Sequence, residues 1–86
     1  MDILEYMSKI DLLRELGEEK YIKDWEEVGE YNGVYYYKNR YIDTYILLNS
    51  EGIVRLEQRK DTREIITNKT KIIKKVKYLY DTFNKK

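Results

Sequence analysis

Cysteine, histidine, proline and alanine are all absent from this chain of 86 residues. Without cysteine there is no disulfide framework, no thiolate metal site and no thiol nucleophile, so the expected setting is intracellular and cytoplasmic. Without histidine, the usual general base near neutral pH and the commonest transition-metal ligand are both missing. Catalysis would fall on carboxylates, lysine or tyrosine, and the expectation is a protein that is not an enzyme and uses no cofactor and no metal. No apolar run approaches the roughly 20 residues that span a bilayer. The chain opens on Asp2 and Glu5 instead of a basic segment leading into an apolar one, so neither export nor a membrane partner is expected.

What is present is unevenly placed. Hydrophobic residues make up 42% of the chain, but ten of them are tyrosine. A tyrosine hydroxyl needs water or a partner, so the apolar core should rest on Ile, Leu and Val, with several tyrosines at a boundary or on the surface. A single domain of this length buries only roughly 60 to 65% of its unfolded surface. Lys, Ile, Tyr, Asn and Phe, whose codons are rich in A and T, supply 38 residues. That profile, in a short chain without catalytic residues, is common among accessory proteins of phages and mobile elements.

Charge is segregated along the chain. Residues 1–30 hold ten acidic side chains against four basic, a balance of −6, and residues 60–86 hold nine basic against three acidic, a balance of +6. The net charge of +1 therefore hides a strongly dipolar sequence.

The pattern predicts an α+β fold in one domain, residues 1–86. Asp2 with Glu5 reads as a helix cap, and Ile3, Met7, Ile10, Leu13 and Leu16 recur at helical spacing, which predicts a helix over 3–16 stopped by Gly17. Tyr21, Ile22, Trp25 and Val28 mark a second helical stripe ending at Gly29, either the other arm of a hairpin or part of one kinked helix. From Tyr31 the period becomes alternating, and 34–37, 41–48 and 53–59 read as antiparallel strands. Asn49-Ser50-Glu51-Gly52 fits a three-residue hairpin loop with a bulge. Its register sets Leu48 opposite Val54 and Ile46 opposite Leu56 on one side, and Leu47 opposite Arg55, Tyr45 opposite Glu57 and Asp43 opposite Arg59 on the other. A three-residue connection at Lys38-Asn39-Arg40 puts Tyr35, Tyr37, Tyr41 and Tyr45 on the polar side and Tyr36 and Ile42 in the core; a two-residue connection at Asn39-Arg40 would flip the first strand. The last segment is an amphipathic helix with Ile72, Ile73, Val76, Leu79, Tyr80 and Phe83 inward. It starts either near Thr62, capped by Asp61 with Glu64, or, as favoured here, near Asn68 after a short fourth strand at Ile65 and Ile66.

Two surfaces carry candidate function. Tyr35, Tyr37, Tyr41 and Tyr45 beside Arg55 and Arg59 would offer rigid amphipathic contact area to a protein partner, unless the acidic helices cover that side of the sheet. An acidic face of Glu18, Glu19, Glu26 and Glu27 would suit a basic partner. These pairs are adjacent in sequence and do not face one another on a helix, which argues against a metal or acid/base role. The lysines of the last helix, Lys71, Lys74 and Lys75, could instead follow a phosphate backbone, as against a solvated helix face.

Tyr31-Asn32-Gly33-Val34, the three strands and a terminal helix carrying Tyr80-Asp81 resemble, over about the last two-thirds of the chain, the small sheet-plus-helix DNA-binding domains of the AP2 and integrase-arm type. The resemblance implies a sheet that enters the major groove. Gln58-Arg59-Lys60-Asp61 stands where that family has a glycine-aromatic step, so its base-contacting positions are not carried over. The leading expectation is a non-enzymatic module that binds and occludes a host protein, a defence or replication nuclease being the most specific version. A nucleic-acid-binding regulator is the alternative, and salt-sensitive self-association through the opposite charged ends is the third.

Overall fold

The structure, a computed structural model, describes residues 3–60 and 63–85, with side chains from residue 9 onward. The Asp2 and Glu5 cap, the side chains of Ile3 and Met7, and the Asp61 and Thr62 helix start lie outside the described residues.

The first helix, α1 (Ile3–Leu16), has the span that its apolar spacing predicts. It ends where Gly17 donates its N–H to Leu13 O at 2.7 Å. The second helix does not form. A single 3-10 turn, Glu19–Tyr21, leads instead into a strand, β1 (Trp25–Tyr31). The cause is Asn32-Gly33, whose φ angles of +51° and +81° make a two-residue turn with the twist that paired strands require, closing Tyr31 onto Val34. The Gly33 N–H adds a 2.8 Å bond to Glu30 Oε1. A segment feeding such a turn must be extended. A β-bulge between Glu27 and Gly29 interrupts the alternation and leaves Val28 exposed, so the helical spacing of Trp25 and Val28 has no helix behind it.

Four more strands follow: β2 (Val34–Asn39), β3 (Thr44–Asn49), β4 (Gly52–Gln58) and β5 (Ile65–Ile66). They form an antiparallel meander in the order β1-β2-β3-β4-β5, so the sheet has five strands where three or four were expected. In the β3/β4 hairpin, Ile46 lies opposite Leu56, Leu47 opposite Arg55 and Tyr45 opposite Glu57, as predicted. At its tip Asn49 pairs with Gly52, and Leu48 meets Ile53 instead of Val54, because the bulge sits further from the turn. Arg59 donates its N–H to Asp43 O at 2.9 Å. Their side chains do not make the expected pair, since the Arg59 guanidinium turns to Glu57.

The β2/β3 connection overturns part of the predicted face assignment. It runs over residues 40–43, and Tyr37 pairs with Ile46 and Tyr35 with Leu48. That register differs from the predicted one by an odd number of residues, which exchanges the two sides of a strand. Two hydrogen bonds end β2 at Asn39: its Oδ1 accepts from Tyr41 N–H at 2.9 Å, and Arg40 donates its N–H to Asp24 O at 2.8 Å. Tyr35 and Tyr37 therefore face the apolar side, Tyr37 fully buried, while Tyr36 joins the opposite side. Ile42 packs against the core as expected.

The last helix, α2 (Lys69–Phe83), takes the later start, with Asn68 Oδ1 accepting from Lys71 N–H at 3.0 Å. Its Ile72, Val76 and Leu79 join Leu12 and Leu16 of α1 over Tyr37, Ile46, Leu48, Ile53 and Leu56 in one cluster. Both helices thus lie on one side of the sheet. Lys69 Nζ, 2.9 Å from Glu15 Oε1 and 3.2 Å from Glu51 O, ties α1, the β3/β4 turn and α2 together. At the other end of α2, Asn84 Nδ2 donates to the buried Asp24 Oδ2 at 2.8 Å. Among the described residues no helix is long and apolar enough to cross a membrane.

Candidate functional site

Because both helices cover one side of the sheet, the other side has nothing packed on it among the described residues. Strand alternation places on it Tyr31 of β1, Tyr36 and Lys38 of β2, Tyr45 and Leu47 of β3, Arg55 and Glu57 of β4, and Ile65 of β5. Leu47 is only 7% exposed yet stands outside the core cluster under the helices. In register it lies between Tyr36 and Arg55, so the long side chains of the open face close over it.

Glu57 organises the centre of this face. Arg55 Nη1 is 3.1 Å from its Oε1, and Arg59 Nη2 is 3.1 Å and Nε 3.3 Å from its Oε2. Burial works to raise the pKa of the Glu57 carboxyl, but the hydrogen bonds and charges of the two arginines outweigh it and hold the group below its ordinary value. The Arg59 guanidinium also lies 4.1 Å from the centre of the Tyr45 ring, close enough for cation–π attraction. The carboxylate and the ring together fix the direction of Arg59. Beside this network a shallow cleft is lined by Val28, Tyr31, Tyr36, Tyr45 and Arg59. Tyr31, 70% exposed, forms its outer rim.

Of the residues predicted to bind a partner, Tyr45, Arg55 and Arg59 are brought together here. Tyr35 and Tyr37 are withdrawn to the helix side by the β2/β3 register. Tyr41 leaves the sheet altogether and stacks on Phe83, with ring centres 4.9 Å apart and planes 19° apart. Tyr31 and Tyr36 were missed. The Asn32-Gly33 turn is the signal that could have placed Tyr31 on a strand paired with β2; for the side that Tyr36 faces, the sequence holds no comparable signal.

The acidic face dissolves because the helix meant to carry it is absent. Glu18 and Glu19 sit at the 3-10 turn, Glu18 at 3.5 Å from Lys20 Nζ. Glu26 and Glu27 alternate across β1, Glu26 opposite Lys38 on the open side and Glu27 opposite Tyr37 on the helix side. Among the described residues no group of three or more carboxylates gathers as a metal ion would need. Lys71 and Lys74 are exposed on the outward side of α2, and Lys75 is half-buried on its flank, next to the buried Ile72 and Leu79.

Comparison with protein families, with curated proteins and with solved structures gives no match. The expected likeness to AP2 and integrase-arm domains finds no support in these comparisons, and the sheet has five strands where the resemblance rested on three.

Proposed function

We propose that the chain is a non-enzymatic protein-binding module that acts through the open face of its sheet, by occupying a functional surface of another protein. The observation that supports this reading is the uncovered face itself, where Tyr36 and Tyr45 flank a fixed Arg55, Glu57 and Arg59 network on rigid strands. Aromatic and arginine side chains held in place beforehand lose little entropy on contact and dominate the energetics of protein interfaces. The charge on this face is nearly balanced, with Glu26 and Glu57 against Lys38, Arg55 and Arg59, and Glu57 engages both guanidinium groups. Such a face suits a mixed protein surface better than a phosphate chain.

The test is quantitative capture of partners on immobilised wild-type protein and on a Tyr45→Ala/Arg59→Ala variant whose thermal unfolding is measured in parallel. Truncating a hot spot costs about 2 kcal/mol, roughly a 30-fold loss of affinity. The captured partner should therefore disappear with the variant while the fold persists. The same proteins retained at the same yield on both would sink the assignment of this face.

A further inference from the structure

We infer that the outward side of α2 is a second binding surface, one for single-stranded nucleic acid, on the other side of the molecule from the open sheet face. It goes beyond the protein-binding reading and does not depend on it.

The placement comes from helix geometry. Lys71, Lys74, Lys75 and Tyr78 stand at i, i+3, i+4 and i+7, the spacing that makes four side chains one patch. From Lys71 to Tyr78 the patch extends about 10 Å along the helix at 1.5 Å per residue. Tyr78 is 61% exposed and takes no part in the core cluster. Its ring centre is 5.5 Å from Lys75 Nζ.

The charge there is not matched by any described carboxylate. Among the described residues, no carboxylate lies within 4 Å of Lys71, Lys74, Lys75 or Lys77. Lys69, by contrast, is taken up by Glu15 at 2.9 Å. The only acidic residue of α2 is Asp81, so like charges on its outer side repel one another, and a chain of phosphates would reverse that repulsion.

The cationic surface also continues past the helix. Lys77 Nζ and Lys20 Nζ lie 5.3 and 5.2 Å from the centre of the same ring, that of Tyr21. Lys23 Nζ lies 5.5 Å from the ring of Tyr80, which meets Tyr21 edge to face at 5.3 Å. Lys23, from the acidic third of the sequence, is thereby added to the lysines of the basic third, while Lys20 keeps its own partner, Glu18, at 3.5 Å.

Tyr78 decides between partners. An acidic peptide would use the lysines and leave the ring without a counterpart, whereas an unpaired base stacks on an exposed ring while its phosphates meet the ammonium groups. In a duplex the bases are already stacked on each other, so the combination favours single strands.

Fluorescence anisotropy of a labelled oligothymidylate against the full chain tests this at about 50 and 200 mM salt. Three or four neutralised phosphates predict an affinity loss of roughly 20- to 50-fold between the two salts, from a slope of about −0.7 per contact. Tyr78→Ala should weaken binding at least about fivefold, and Lys71→Gln/Lys74→Gln/Lys75→Gln should remove the salt dependence with it. Tyr45→Ala/Arg59→Ala, on the other side of the sheet, should bind as wild type does. Circular dichroism of each variant separates loss of binding from loss of fold. No binding at the lower salt, no effect of Tyr78→Ala, or equal affinity for a duplex of the same length would each overturn the proposal. Equal competition by poly-glutamate would reassign the patch to an acidic protein.

Discussion

Replacing Gly52 by alanine attacks the junction that holds both helices on one side of the sheet. Gly52 has φ +103°, outside the range that a side chain with a Cβ accepts easily, and holding alanine there costs roughly 1 to 3 kcal/mol. Its Cβ would also be driven into the Glu15 carboxylate and would sit 3.1 Å from Lys69 Nζ. The carboxylate, at the end of a flexible side chain, can swing aside, but only by giving up its 2.9 Å pair with Lys69. With the Lys69 side chain 46% exposed, that pair is worth no more than about 0.5 kcal/mol after screening. Together the two effects come to about 1 to 3.5 kcal/mol, which for a domain of this size lowers Tm by roughly 4 to 28 °C. Thermal unfolding followed by circular dichroism reads this directly. Glu15→Ala alone should cost only a few degrees, and the double variant should lose less than the two singles added, because the collision vanishes with the carboxylate. A Gly52→Ala drop under about 3 °C, or strict additivity in the double variant, would refute the reasoning.

Two further perturbations test the face assignment and the arginine network. Tyr37→Ala should cost about 3 to 5 kcal/mol, since Tyr37 is fully buried under the helices, while Tyr36→Ala on the open face should cost under about 1 kcal/mol; denaturant titration giving the reverse order would restore the predicted faces. Glu57 has a folded pKa below its unfolded one, so its contribution is fully present above the unfolded value of about 4.3 and is lost as pH falls through the lower folded value. The urea midpoint of the wild type should therefore fall more steeply than that of Glu57→Gln from about pH 5 downward, and parallel curves would show that the two arginines do not stabilise the carboxylate.

The extent to which the fold was legible follows from where local chemistry leaves no choice. The span of α1, the Asn68 start of α2 and the β3/β4 register are all set by short-range signals: a helical stripe, a capping side chain, and an apolar alternation with Arg55 and Glu57 on the opposite side. The stripe of Tyr21, Ile22, Trp25 and Val28 was equally regular and misleading. It spans a 3-10 turn and a bulged strand, and the Asn32-Gly33 hairpin turn beyond it is the stronger constraint. The side on which Tyr35, Tyr36 and Tyr37 lie was not legible, because tyrosine is at home on either face of a sheet. Only the path of residues 40–43 decides it, through the bonds of Asn39 to Tyr41 and of Arg40 to Asp24, and the second of these is a tertiary contact.

The segregated charge was plain in the sequence, but the fold uses it otherwise than by joining its two ends. If the acidic and basic thirds existed to neutralise each other, ion pairs should run between them. Among the described residues one does, Glu15 with Lys69, and the others are local: Asp11 with Arg14, Glu18 with Lys20, and Glu57 with Arg55 and Arg59. Lys20 and Lys23, from the acidic third, instead stand beside Lys77 around Tyr21 and Tyr80. Among the described residues Lys71, Lys74, Lys75 and Lys77 are thus left on the helix side without a carboxylate within 4 Å, while Arg55 and Arg59 share Glu57 on the open face. The first arrangement leaves positive charge for a polyanion and the second presents an almost neutral, rigid aromatic surface. The two proposed surfaces differ in chemistry, and if both bind as proposed, a substitution confined to either one should leave binding at the other intact.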